Sequence, residues 1–337
     1  MGKMNIEPII NYSGEYKNIL RNIELIKRNE YIVCEEFNIT GNAPKQFIKL
    51  HDPGFGYKIN KQNWKLYIAK VGHKYYPNES VTEHLLTRIG ECLGFIIAQS
   101  RLIKVSNQIR FCSKVFLKNS RDQELIHGAD IYAGYLNGDK DFVESIENEG
   151  KAREFFSYEF SVNAIKELFP NNYLDIIANF RKMLLFDCFT GNNDRHFYNW
   201  AVIRSITNAH PPYFSPIYDT ARALFWNRTD NQLKEIKEST DLNRKETFMA
   251  KYLRDSKPKI GIEGKNDLNH FDLLEYLFYN SNELEKLFIR NLFSARSIQL
   301  VKELLEGEFN ETINEHRRYW IVEALKKRVV LAQEKIL

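Results

Sequence analysis

Between Thr190 and Leu224 the chain reads TGNNDRHFYNWAVIR, then a short polar insert, then FSPIYDTARAL. A dense polar cluster is hemmed in by apolar runs, and few folds accommodate that. Upstream, residues 172–188 carry helical periodicity and lead into Phe189-Thr190-Gly191, which places the cluster in a loop at a helix C-terminus. Downstream, Trp200–Ile203 reads as a short strand and Tyr213–Tyr218 as its partner. Polar groups in such a setting are costly unless they are hydrogen-bonded or bind something. A plain turn cluster is the competing reading, because Asn, Asp and Gly favour turns in any protein.

The spacing within the stretch narrows the chemistry. Asp194 stands five residues before Asn199, with His196 between them, and Asp219 follows about one hairpin later. Phosphoryl transfer from a magnesium nucleotide needs one carboxylate to orient the attacking hydroxyl. It also needs a carboxamide and a second carboxylate to hold the metal. Magnesium is a hard ion that takes oxygen ligands and keeps some water, so an Asn–Asp pair suits it.

The rest of the chain divides into a mainly β part and a larger helical part. Tyr31–Phe37, Gln46–Leu50 and Trp64–Val71 are strand-like runs separated by turn chemistry. A helix is expected over Asn78–Cys92, with Val81, Leu85, Leu86, Ile89, Cys92 and Leu93 on one face and Gly94 as its stop. Ser100–Val105 and Ile109–Leu117 extend the sheet. The polar, glycine-containing stretch 118–140 marks a boundary, giving units of 1–117 and 118–337. Helices are expected over 152–168, 172–188, 271–292, 297–306 and 311–335, and a short one around Lys17–Lys27. The basic segment 222–265 is read as a solvated flexible loop rather than a surface for nucleic acid or an acidic substrate. Ser239, Thr240 and Ser256 within it are candidate regulatory phosphorylation sites.

Composition adds only bounds. A chain of 337 residues has ample material for a two-lobed fold, and a net charge of +4 neither demands nor excludes an acidic partner. The four cysteines form no C-x-x-C pair and sit in apolar runs, so buried free thiols are expected rather than disulfides or zinc. No run is long and apolar enough to span a bilayer and no secretory signal is evident, so a soluble, cytoplasmic protein is expected, with export or delivery to another cell left open.

Two upstream features fit a nucleotide site. Strand alternation puts Ile68 and Lys70 on one side of Leu66–Lys70, and a lysine so aligned usually needs a partner. Glu79 and Glu83, one turn apart on the following helix, are the candidates. Thr40-Gly41-Asn42-Ala43-Pro44-Lys45 lies between two strands, where its amides and Lys45 could meet a phosphate; Gly54-Phe55-Gly56 is the weaker alternative. A hairpin turn, a surface lysine and a solvated glutamate are the bland counterparts.

Taken together, GNNDRHFYNW, SPIYDTA, Tyr67-Ile68-Ala69-Lys70 and the run from Val81-Thr82-Glu83 to Leu93-Gly94 resemble the HipA-like serine/threonine kinases, in particular their short forms. The resemblance covers roughly residues 35–335. It implies an α+β, two-lobed, protein-kinase-like (HipA-like) fold, with a small mainly β N-lobe and a larger α-helical C-lobe. ATP would lie between the lobes and Mg²⁺ would be held by Asn199 and Asp219. Asp194 would be the catalytic base, with His196 and Asn199 completing the catalytic loop. Lys70, supported by Glu83, would contact the α/β-phosphates, and Thr40, Gly41, Asn42 and Lys45 would form the phosphate loop. Backbone groups of Val115, Phe116 and Leu117 would hold adenine. The implied acceptor is a Ser/Thr-bearing protein, with autophosphorylation and an antitoxin-like partner among the family's traits; nucleic acid is not implied as a direct ligand.

Three departures qualify that picture. Asn38-Ile39-Thr40 stands where many members carry an autophosphorylated serine, no glycine follows Asp219, and only about forty residues precede the phosphate loop. Two rival readings stay open. Asp194-Arg195-His196 with Asn199 also resembles the catalytic loop of lipid kinases, which suggests a phosphoinositide or small-molecule kinase. A nucleotide-binding pseudokinase acting as a regulatory module is the other, although such proteins usually lose one of Lys70, Glu83, Asp194, Asn199 and Asp219.

Overall fold

The computed structural model describes residues 23–34, 45–52, 56–72, 78–105, 108–118 and 122–336. Short alternating segments form β1 (Glu24–Leu25), β2 (Tyr31–Val33), β3 (Lys45–Leu50) and β4 (Lys65–Val71). Helix α1 (Asn78–Cys92) follows, then β5 (Ser100–Val105) and β6 (Gln108–Lys114). The six strands make one sheet in the order β1-β5-β6-β4-β3-β2, antiparallel except for the β1–β5 pair. Tyr67 and Ala69 of β4 pack on one face with Ile48, Leu50, Ile103, Val105 and Cys112. Lys70 therefore emerges on the other face, with its ammonium 5.6 Å from the Phe111 ring centroid.

That second face is where α1 lies. Val81, Leu85, Leu86 and Ile89 are almost fully buried and join the core of the helical part. Each such side chain contributes about 1.5–3 kcal/mol relative to exposure. The helix is thus anchored from below by the larger part of the molecule, which holds its acidic first turns steady over the sheet.

Beyond the linking segment come β7 (Gln123–His127), α2 (Gly128–Tyr135), α3 (Lys140–Asn148), α4 (Ala152–Phe155), α5 (Tyr158–Leu168) and α6 (Tyr173–Thr190). Next are β8 (Ala201–Ser205), β9 (Tyr213–Phe214), α7 (Asp230–Glu238), α8 (Leu242–Asp255), α9 (His270–Tyr279), α10 (Glu283–Leu292), α11 (Ala295–Glu306) and α12 (Glu315–Ile336). β7, β8 and β9 form a small antiparallel sheet. The fold is α+β, with a small mainly β lobe and a larger helical one. No helix among the described residues is long and apolar enough to cross a membrane.

Several expectations are corrected. Residues 23–27 are not helical: Glu24–Leu25 pairs in parallel with β5, while residues 17–22 lie outside the described residues. The span 271–292 is two helices, because Asn282 accepts the Glu285 amide (2.9 Å) and Glu285 accepts the Asn282 amide (3.0 Å), a capping box that starts a new helix. Ser157, accepting from the Phe160 amide at 3.1 Å, likewise separates α4 from α5. The basic segment is not a loop, since it contains α7 and α8, capped by Thr229 and Asp241. Of the cysteines, Cys112 and Cys188 are buried, but Cys92 is exposed.

One buried histidine makes the fold pH-sensitive. His84 of α1 meets the Ser100 hydroxyl through Nδ1 (2.8 Å). Burial and the neighbouring Arg88 hold its pKa down to about 4. Glu308 lies 3.7 Å from Nε2, but both of its oxygens already accept from Arg88 at 3.0 Å. Below pH 6.5 the unfolded chain takes up a proton that the folded one refuses, so this contribution is whole above 6.5 and drains as pH falls toward 4, reaching about 3 kcal/mol. His84→Gln should flatten the urea-unfolding free energy between pH 6.5 and 4.5; an unchanged slope would refute the assignment.

Candidate active site

The loop after α6 is built on a buried ion pair. Gly191 ends the helix in the left-handed conformation (φ 76°), and its amide donates to the Asp187 carbonyl at 2.8 Å. A Cβ there would sit 2.7 Å from Ser256 Oγ and 3.0 Å from Arg328 Nη1, so glycine is required on both counts. The buried Asp187 carboxylate accepts from Arg195 Nε (2.8 Å) and Nη2 (3.1 Å) and from Asn192 Nδ2 (2.9 Å). Arg195 Nη1 donates to the carbonyls of Asn199 (2.6 Å) and Tyr218 (2.5 Å). Burial works against the Arg195 charge, but Asp187 outweighs it and the pKa is raised. One guanidinium thereby ties the helix end, the loop and the segment before Asp219 together.

On that frame the Asp194 carboxylate is left partly exposed, while its backbone is held. Its carbonyl accepts from Asn199 Nδ2 (2.8 Å) and from the His196 amide (2.9 Å). Donation through Nδ2 fixes the Asn199 amide and leaves Oδ1 as the end available to a cation. His196 Nδ1 accepts the Tyr198 amide at 3.3 Å, and burial lowers the ring pKa against the pull of nearby carboxylates, so the imidazole is neutral near pH 7 and shapes the turn.

Asp219 reaches the site from the segment after β9 with φ 54°, a strained conformation for aspartate of the kind that concentrates at functional sites. Its carboxylate accepts from Lys70 Nζ at 2.9 Å and lies 3.8 Å from Lys45 Nζ. Lys70 also donates to Glu83 of α1 at 2.9 Å. Burial disfavours the charge on Lys70, yet Glu83 and Asp219 more than offset it and raise its pKa. For Asp219, burial is outweighed by Lys70 and Lys45, which bring its pKa down to about 2. Lys45 and Lys70 face each other across β3 and β4, a repulsive placement that the shared carboxylate relieves.

Thr40, Gly41 and Asn42 lie outside the described residues, as do Gly54 and Phe55. In the linking segment, the Val115 amide donates to the Leu66 carbonyl (2.9 Å), so that donor is committed to the sheet. The Phe116 ring lies 5.9 Å from that of Tyr218, whose hydroxyl meets His127 Nδ1 (2.9 Å). Of the two glutamates weighed as partners of Lys70, Glu83 takes that place, and Glu79 lies instead 3.7 Å from Arg222. Asp187, Arg195 and Arg222 were not singled out from sequence as site residues. Asp187 reads as part of an amphipathic helix, and the one signal that could have found the pair is its eight-residue separation from Arg195 across a glycine.

The donor set suits a hard divalent cation. Asn199 and Asp219 would supply one carboxamide and one carboxylate, few protein ligands, as magnesium accepts when phosphate and water complete its shell. Among the described residues, no cluster of three or more His, Cys, Asp or Glu side chains forms an all-protein metal cage.

The chain is similar to the Helicobacter pylori proinflammatory kinase CtkA over 93% of its own length and 98% of that chain, at 17% identity and a TM-score of 0.69, so the fold is shared. It is also similar to HipA of Shewanella oneidensis MR-1, seen in complex with HipB and operator DNA, at 15% identity and a TM-score of 0.49, covering 88% of this chain and 65% of that one. No curated protein sequence matches. The model of the HipA-like C-terminal domain matches residues 37–273, which include Lys45, Lys70, Glu83, Asp194, Asn199 and Asp219. The chain belongs to the HipA-like C-terminal domain family.

Proposed function

We propose that this chain is a HipA-type kinase that transfers the γ-phosphoryl group of ATP to a serine or threonine hydroxyl of a protein, itself included, with Mg²⁺ as cofactor. Its working halves are residues 1–117 and 118–337. The observation that carries the reading is the Lys70 ammonium bridging Glu83 of α1 and Asp219, each at 2.9 Å. That triad brings a strand lysine, a helix glutamate and a metal-segment carboxylate to one point.

The roles follow from the charges. Lys45 and Lys70 stand side by side, so they would hold the phosphates of a nucleotide, and Asp219, freed from them, would face the cation. Mg²⁺ bound by Asn199 and Asp219 would neutralise charge on the phosphate oxygens. Asp194, held through its backbone with its carboxylate free of tight partners, orients the acceptor hydroxyl and takes its proton. Phe116 and Tyr218 offer aromatic faces beside the linking segment, where an adenine can stack.

Asp219→Asn removes the charge that answers both lysines and the cation. It is expected to weaken Mg²⁺-dependent binding of a non-hydrolysable ATP analogue by about 10–100-fold, since a charge-assisted contact is worth about 1.5–3 kcal/mol. Titration calorimetry with and without Mg²⁺ checks this. Equal affinity in both proteins would contradict the assignment of Asp219.

A further inference from the structure

Arg222 lies at the site, yet the mechanism above does not use it. Three residues beyond Asp219, its carbonyl accepts the Asn193 amide at 3.2 Å, so its backbone is fastened to the catalytic loop. Its Nε is 3.5 Å from Asp194 Oδ2 and 3.7 Å from Glu79 Oε1, and the guanidinium lies over the Trp226 ring, 4.4 Å from the centroid. The side chain is 41% exposed.

Those distances separate Arg222 from the structural arginines. Arg195 holds Asp187 at 2.8 Å and Arg317 holds Asp230 at 2.6 Å, both lengths of engaged charge-assisted bonds, and both pairs are buried. Arg222 is near two carboxylates without closing on either. Its root is fixed, its plane is set by Trp226, and its charge stands beside the proposed base. An acceptor hydroxyl hydrogen-bonded to Asp194 brings the incoming phosphorus into the neighbourhood of a guanidinium that stands 3.5 Å from the same carboxylate. This bridge between α1 and the loop is slack and partly open to solvent.

From this geometry, and resting on the kinase reading above, we infer that Arg222 is a further catalytic residue, an arginine supplied in cis that contacts the phosphoryl group during transfer. The acceptor O–H proton passes to the Asp194 carboxylate as the oxygen bonds to the γ-phosphorus. The bond from that phosphorus to the bridging oxygen breaks, and its electron pair leaves on ADP. Charge spreads over the three equatorial oxygens in the process, and a planar guanidinium is the side chain suited to meet two of them at once. Arg222 then exchanges its loose hold on Asp194 for the group being transferred, which leaves the carboxylate free to accept the proton.

The test compares wild type, Arg222→Ala and Arg222→Lys in single-turnover transfer of γ-phosphate to protein, alongside affinity for a non-hydrolysable ATP analogue. Exposed ion pairs add little to stability, so both variants should fold. Arg222→Ala should lose about 10³-fold in transfer rate, at the lower end for an arginine in this role, with nucleotide affinity nearly unchanged. Guanidinium ion at non-denaturing concentration should restore part of the rate, sodium at equal ionic strength should not, and Arg222→Lys should fall between. A variant as active as wild type, or more active, would overturn the inference by making Arg222 idle or inhibitory. Loss of rate together with nucleotide binding, without rescue, would overturn it in favour of a structural role. Absence of transfer by wild type would overturn it along with the kinase reading, an outcome distinct from the others because wild type itself is then silent.

Discussion

Asp194→Asn is expected to reduce phosphoryl transfer by about 10³-fold or more, the upper range for removing a positioned general base, while nucleotide affinity stays within about a factor of two. The separation follows from where the residue is held. The loop depends on the Asp194 backbone, whose carbonyl accepts from Asn199 Nδ2 and the His196 amide, and asparagine keeps that backbone. The lost charge faces Arg222 at 3.5 Å and contacts neither Lys45 nor Lys70. Lys45 and Lys70, the cations proposed to face the phosphates, therefore keep their arrangement, and only the proposed proton acceptor is missing. Single-turnover transfer and analogue binding, measured on the same preparation, check both halves of the expectation.

The second large effect is on stability. Arg195→Met should destabilise the fold by about 3–5 kcal/mol, because it leaves the Asp187 carboxylate buried without its cation. Asp187→Leu should cost a similar amount for the converse reason. The double variant Asp187→Leu, Arg195→Met should lose less than either single change, since an apolar pair carries no stranded charge. Even so, it should transfer phosphate poorly. Arg195 is what joins the Asn199 and Tyr218 carbonyls, and with them the two halves of the proposed metal site. Chemical denaturation of the three variants gives the coupling energy, and strictly additive losses would count against the pair.

How much of this was legible in the sequence depends on the range of the interactions. β4, α1 and α6 announce themselves through periodicity, because each buries a regular apolar face. The nearness of Asp194, Asn199 and the segment before Asp219 was legible for a local reason, because loop, strand and following segment are close in the chain. Lys70 and Glu83 needed only a strand followed by a helix. β1 was not legible, since a two-residue strand pairing in parallel with β5 leaves no pattern of its own. Helices α7 and α8 were missed because each buries little apolar surface; Leu233 and Leu253 are the buried hydrophobic residues on them. Arg195 and Arg222 act through partners set by tertiary packing, and an arginine in a polar loop looks the same whether it ends up buried or exposed.

The central claim is that the triad of Lys70, Glu83 and Asp219 together with Asp194 makes a protein kinase. Its most direct test is mass spectrometry of purified wild-type and Asp194→Asn protein after incubation with Mg-ATP, alone and with a cell lysate. The account predicts phosphoserine or phosphothreonine, on this chain or on a lysate protein, that appears with wild type and is absent with the variant. Phosphorylation confined to lipids or small molecules, or protein phosphorylation equal in the two samples, would contradict it.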